Sequence, residues 1–287
     1  MITCNLMGGL GNQLFQIFTT ISYAIKSRNR FNFMALEKLG GGSTIIRYTF
    51  WNTFFLNLKP FLVTEMPPVF VIKERDFTYN ELPVTEMINK NVMIYGYFQS
   101  YKYFQENYNI ICRIIGIENL KMKVLSKLNL FNSEYLNKDQ LVYNVSLHFR
   151  LGDYKKLQEF HPVMTYEYYE KSLSYIQTKN VDNTYKIIYF CEDADIDDVL
   201  ITIDKLIIKF PDYNFVRGDN SLQDWEQMIY MSCCHHNIIA NSSFSWWAAY
   251  FNSRSDKIVC YPSVWFGPSA NNNTKDLCPN EWIKIEA

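Results

Sequence analysis

No stretch of this 287-residue sequence is apolar over the roughly 20 residues that a membrane-spanning helix needs, because Lys59, Asp204 and Lys205 interrupt its most hydrophobic segments. A cationic start and a small-residue cleavage site are also missing. Met1 leads straight into the strand-like Ile2-Thr3-Cys4-Asn5-Leu6, so we expect no signal peptide and a cytoplasmic protein. Net charge is nearly absent, with 28 Lys and Arg against 29 Asp and Glu. That balance gives no global field to hold nucleic acid or an anionic membrane, and any bound phosphate must be held locally. The seven cysteines include no CxxC pair, which suits reduced, buried thiols. Cys233-Cys234-His235-His236 tempts a zinc reading, but adjacent side chains diverge and no second ligand pair follows, so no metal site is expected. No repeat of 20 to 50 residues is apparent. What the chain does have is 48% hydrophobic residues, enough for an ordinary globular core, and many rings, 21 Tyr and 21 Phe among them. Most of those rings are expected in the core and a minority against sugars or bases.

The opening reads strand, glycine-rich turn, helix. After Gly8-Gly9-Leu10-Gly11, apolar Leu14, Ile17, Phe18, Ile21, Ala24 and Ile25 recur at helical spacing, predicting a helix from about Asn12 to Ser27. Phe31 to Ala35 follows as a second strand. Leu39 to Pro83, broken by Gly40-Gly41-Gly42 and Pro67-Pro68, reads as loops around a strand at Val69 to Lys73. Asn91 to Tyr97 reads as a strand and Ser100 to Leu130 as helical. A polar stretch, Asn132 to Gln140, suggests a boundary between domains 1–138 and 139–287. The βα rhythm then restarts, with strands at 141–149, 186–191, 214–216, 236–240 and 257–261 and helices at 165–178, 196–209, 221–233 and 243–251. Such alternation predicts a parallel sheet covered on both faces, with ligands at the carboxyl ends of its strands. The sequons at Asn144 and Asn241 fall in a buried strand and in a motif described next, and neither is expected to carry a glycan.

Four motifs sit at strand ends. Gly8-Gly9-Leu10-Gly11-Asn12-Gln13 can offer free backbone N–H groups to an anion, and reads equally as a tight turn. It is no dinucleotide fingerprint, because Leu14 stands where the third glycine belongs. His148-Phe149-Arg150-Leu151-Gly152-Asp153-Tyr154 brings an imidazole, a guanidinium and a carboxylate to one strand exit. Strand alternation puts His148 and Arg150 on one side, and arginine's rigid fork suits a diphosphate, the bland alternative being an Arg150–Asp153 ion pair. Asn241-Ser242-Ser243-Phe244-Ser245-Trp246-Trp247 opens a helix whose serines can cap it or clasp a phosphate. Trp246 and Trp247 are expected in the core. Cys191-Glu192-Asp193-Ala194-Asp195 supplies acceptors for a base, or simply a helix start that favours acids.

Together GGLGNQLFQ, HxRxGDY, the acidic strand end and NSSFSWWAA, in this order over nearly the whole chain, resemble the α-1,2-fucosyltransferases of glycosyltransferase family 11. A His followed by a Tyr-Tyr pair, here His161 with Tyr168-Tyr169, adds to the resemblance. The family often has a second arginine, HxRRGDY, where this chain has Leu151. The resemblance implies a GT-B fold, two Rossmann-like lobes with a central cleft, using GDP-β-L-fucose and a galactoside-type glycan with inversion, without metal or other cofactor. It implies that Arg150 with Asn241, Ser242, Ser243 and Phe244 hold the diphosphate, that His148 and Asp193 flank the guanine, and that Gly9, Gly11 and Asn12 close over phosphates or fucose. Asp153 is the first candidate for the base that deprotonates the acceptor, with Glu159 and His161 as alternatives. Other readings are a related transferase with another linkage or nucleotide sugar, a non-catalytic glycan-binding protein, and, disfavoured by Leu14, a dinucleotide oxidoreductase.

Overall fold

The structure, a computed structural model, describes residues 1–40, 46–84, 87, 90–130, 142–179, 184–270 and 272–287. Its contacts divide the chain into two compact units, Met1–Asn119 with Asn272–Pro279, and Leu120–Asn271 with Asn280–Ala287. The polar stretch 132–140, expected as the boundary, lies outside the described residues, as do Gly41 and Gly42.

The first unit opens with β1 (Ile2–Cys4) and α1 (Leu10–Lys26). It continues through β2 (Phe33–Met34), the antiparallel pair β3 (Lys38–Leu39) and β4 (Arg47–Tyr48), a 3-10 helix at Leu56–Phe61 and β5 (Leu62–Val63). Then come β6 (Phe70–Lys73) and β7 (Val92–Tyr95), which lie parallel with β1 in the order β1-β7-β6. α1 buries Leu14, Phe15, Ile17, Phe18 and Ile21 completely, as its spacing predicts. The segment 39–83 therefore holds more regular structure than its breakers suggested. The region 100–130 is not one helix. Two 3-10 turns lead into α2 (Tyr108–Ile115), which ends where Gly116 takes left-handed backbone (φ 85°), and α3 (Ile117–Lys127) starts afresh.

The second unit is a six-stranded, wholly parallel sheet. β8 (Val142–His148), α4 (Tyr166–Lys179), β9 (Thr184–Phe190), α5 (Ile196–Lys209) and β10 (Asn214–Arg217) form one half. α6 (Asp224–Ser232), β11 (His236–Ile238), α7 (Ser243–Phe251), β12 (Val259–Pro262) and β13 (Ile283–Ile285) form the other. The strand order β10-β9-β8-β11-β12-β13 is that of a doubly wound nucleotide-binding sheet, with the winding reversing between β8 and β11. β8 runs nearly continuously buried because helices cover both faces. Val145, Leu147, Ile187, Ile238 and Cys260 pack with Tyr168, Leu173, Val199 and Ile203 in one core. Each unit is thus α/β with a parallel sheet, the fold class expected. The last strand, β13, and the passage of Asn272–Pro279 through the first unit were not anticipated.

Trp246 and Trp247 are fully buried in α7, stacked edge-on at 5.2 Å, so they serve packing. Trp247→Ala should lower the unfolding free energy by about 3–5 kcal/mol, measured by denaturant titration, through lost burial and the cavity left behind.

Candidate active site

The winding reversal puts the exits of β8 and β11 side by side, and two of the sequence motifs lie on those exits. α4 fixes both. The Tyr169 hydroxyl donates to the His148 carbonyl at 3.1 Å, and the Tyr168 hydroxyl to the Ile239 carbonyl at 2.5 Å. The Tyr-Tyr pair is therefore buried structure holding the two strand ends. His148 itself is 7% exposed, with its ring 5.6 Å from Phe244 and its Nδ1 buried without a hydrogen-bond partner. Burial, helped by the neighbouring Arg150 charge, pushes its pKa down to about 3, so the ring is neutral at ordinary pH.

Past β8 the chain turns at Gly152, whose φ of 41° disfavours a side chain. A Cβ there would also stand 3.3 Å from Glu192 Oε2. The Arg150 guanidinium is held on both arms, one donating to Asp153 Oδ1 at 2.5 Å and the other to Glu192 Oε1. Its flat face lies over the Tyr154 ring, 5.0 Å from the centroid. The ion pair with Asp153, the bland reading of this motif, is thus present, and Glu192 joins it from the β9 exit. Asp195, buried, accepts the Gly152 N–H at 2.7 Å and Lys155 Nζ at 2.7 Å, while Lys155 also reaches Asp198. These two carboxylates raise the Lys155 pKa further. Asp193, named for the base, pairs with Arg217 at the end of β10. No side chain caps α5, so the acids at its start are not spent on capping.

The β11 exit organises a third segment. Asn241 Nδ2 donates to the carbonyls of Pro162 (2.9 Å) and Trp265 (3.1 Å), and the Asn241 carbonyl accepts from the Tyr154 hydroxyl (3.3 Å). Ser242 caps α7 by accepting the Phe244 N–H. Ser245 turns inward to the Ala240 and Ser242 carbonyls, leaving Ser242 and Ser243 as the serines at the helix mouth. His161 stacks on Tyr154 at 4.7 Å and leans on Phe266 at 5.7 Å, so rings run in a column from Arg150 to the 265–269 loop. Burial, the largest influence, lowers the His161 pKa. Glu159 carries an exposed side chain, but its carbonyl is fixed by the Ser269 N–H at 3.0 Å.

In the first unit, α1 begins at Gly9 with no side-chain cap and no acid in its first turn. Gln13 donates to the carbonyls of Gly8 (3.0 Å) and Tyr48 (2.9 Å), and Asn12 Oδ1 accepts from Gln99 at 2.9 Å. The first-turn N–H groups near Gly11 and Asn12 therefore meet no carboxylate of their own helix. Elsewhere, His235 Nδ1 accepts the Asn144 N–H and His236 Nδ1 the Ile258 N–H, which accounts for the pair that tempted a zinc reading. Among the described residues no group of three or more His, Cys, Asp or Glu could hold a metal, and no helix is long and apolar enough to cross a membrane.

Residues 70–286 match the family described as Glycosyl transferase family 11. The chain belongs to glycosyl transferase family 11. Over 204 residues it is 31% identical to the O-antigen biosynthesis glycosyltransferase WbnK of Escherichia coli, a match covering 69% of this chain and 62% of that protein, less than two thirds of its length. It is 26% identical over 313 residues to an alpha-1,2-colitosyltransferase of Escherichia coli, covering 100% of this chain and 99% of the relative. Among solved structures, a GDP complex of an Arabidopsis thaliana FUT1 mutant aligns with a TM-score of 0.47 at 8% identity, over 91% of this chain and 70% of that one.

Lys155 and Arg217 were not singled out from the sequence of this family 11 chain, and Glu192, Asp195 and Tyr154 stood in its motifs without these individual partners. For Arg217 a signal existed, since it follows directly on a predicted strand, as Arg150 does. The buried histidines set an acid limit on stability. An unfolded histidine takes its proton near pH 6.5, whereas folded His148 resists until about 3, so the unfolded state binds more protons in that window and stability falls as pH drops through it. His148 should cost on the order of 2 kcal/mol between pH 7 and pH 5. Denaturant titrations at the two pH values check this, with His148→Gln losing correspondingly less.

Proposed function

We propose that this glycosyltransferase moves an L-fucosyl group from GDP-β-L-fucose to the 2-hydroxyl of a galactoside-type acceptor, with inversion and with protein groups, not a metal, neutralising the diphosphate. The single observation that carries the reading is the placement of Arg150 at the β8 exit beside the start of α7, at the winding reversal of the sheet. Oriented donors at that point stabilise charge as it grows on a departing diphosphate. The name of one relative, an alpha-1,2-colitosyltransferase, supports the linkage.

In the reaction the acceptor oxygen attacks the anomeric carbon from the face opposite the diphosphate. The carbon–oxygen bond to phosphate breaks, GDP departs with the electron pair, and the hydroxyl proton passes to the general base. Arg150, the Phe244 N–H and the hydroxyls of Ser242 and Ser243 receive the charge. Asn241 supports them by tying the β11 exit to Pro162 and Trp265. His148 and Asp193 border the guanine. Asp153 remains the first candidate base, with Glu159 and His161 as alternatives.

A colitosyl donor is the second reading, favoured by the full-length relative's name. Incubation with an acceptor panel and either donor, read by mass spectrometry and linkage analysis, decides between them, and absence of transfer from both sinks the proposal. Arg150→Ala should lose about a hundredfold to a thousandfold in turnover, of the order found when a charge-stabilising donor is removed. Asp153→Asn and Glu159→Gln assign the base: the true base loses turnover while GDP still binds.

A further inference from the structure

Three groups of ion pairs stand together as one charged patch at the exits of β8, β9 and β10. Among the described residues its three cations, Arg150, Lys155 and Arg217, are joined to five carboxylates, Asp153, Glu192, Asp193, Asp195 and Asp198. The patch thus carries a formal excess of two negative charges before any diphosphate arrives. Both terminal nitrogens of Arg150 are already taken, each by one oxygen of a different carboxylate, and these are the donors that a diphosphate would use. A donor that used this fork would meet both an occupied arginine and a repulsive field.

The two carboxylates on Arg150 are not equivalent. Asp153 lies three residues along the same turn and its side chain is 38% exposed, whereas Glu192 reaches across from the neighbouring strand end and is 56% exposed. The seat of Glu192 is built into the backbone. Gly152, held in its turn by buried Asp195, has no Cβ where one would crowd the Glu192 carboxylate. Glu192 has a flexible stem and open solvent to move into, and Asp195 keeps the turn in place when it leaves.

We propose that Glu192 is an internal competitor for the donor's diphosphate, occupying one arm of Arg150 in the free protein and giving way when the donor binds. It thereby determines how tightly the donor is held. The inference rests on the reading of Arg150 as the diphosphate ligand. The exchange makes and breaks only ion pairs, so the patch returns to its resting state when GDP leaves and the carboxylate closes on Arg150 again.

Calorimetric titration of the full chain with GDP, and separately with inorganic pyrophosphate, tests it. Glu192→Gln should bind both about twofold to fivefold more tightly than the unsubstituted protein, the range expected for removing one partly exposed competing charge. Damage to the loop would not tighten binding, so a gain in affinity separates competition from a structural role. Unchanged or weaker binding by Glu192→Gln overturns the proposal. Should that variant fail to fold, Glu192→Asp, whose shorter stem retreats from Arg150, should also tighten binding, and its failure to do so counts equally against the idea. Arg150→Ala guards the underlying reading. If it binds GDP as well as the unsubstituted protein, the diphosphate assignment fails, whereas a loss there with no gain at Glu192→Gln sinks the competitor alone.

Discussion

Everything at the candidate site depends on the reversal of winding between β8 and β11. To one side of that line the connections wind through β9 and β10, and to the other through β12 and β13. The loops leaving the two central strands therefore part, and open a crevice at their carboxyl ends. Each loop begins from a buried strand whose last carbonyl is held by a tyrosine of α4. A polar, charged segment can then be presented at a fixed place, because the entropic cost of fixing its base is met by apolar packing below it.

Charge at those exits is arranged as ion pairs with carboxylates in excess. Arg150 is stacked on Tyr154 and clasped by Asp153 and Glu192, and Lys155 is clasped by Asp195 and Asp198. A fixed geometry of this kind orients the guanidinium for a bidentate ligand while keeping the unoccupied protein close to neutral overall. In the proposed function this arrangement serves the transfer of a sugar. In the competitor proposal the carboxylates set the terms on which an anionic substrate gains access to the arginine.

Much of the second unit was legible in the chain itself. Its strands and helices alternate with clear apolar periods, and β8 to β12 and α4 to α7 stand within a few residues of where the periodicity places them. The first unit was harder to read. Strands of two residues such as β3, β4 and β5 carry no period at all, and the helix expected through residue 130 is divided at Gly116, a residue whose backbone state only the folded chain reveals. β13 is only three residues long, and the segment 272–279 gives no local hint that it belongs with the first unit.

The candidate site divides along the same line. Sequence alone determined that an arginine, serines and acids would stand at strand exits, because local periodicity decides where strands end and which residues follow. Tertiary structure decided which of them meet. That Glu192 joins Asp153 on Arg150, that Asp193 turns to Arg217, and that His161 backs Tyr154 follow from strand order and from how adjacent loops pack. The ion pairs of Glu192 and Asp193 join residues 42 and 24 positions apart, and no local pattern encodes them. Burial did the rest: a histidine that looks titratable in the chain is held neutral once β8 and α7 enclose it.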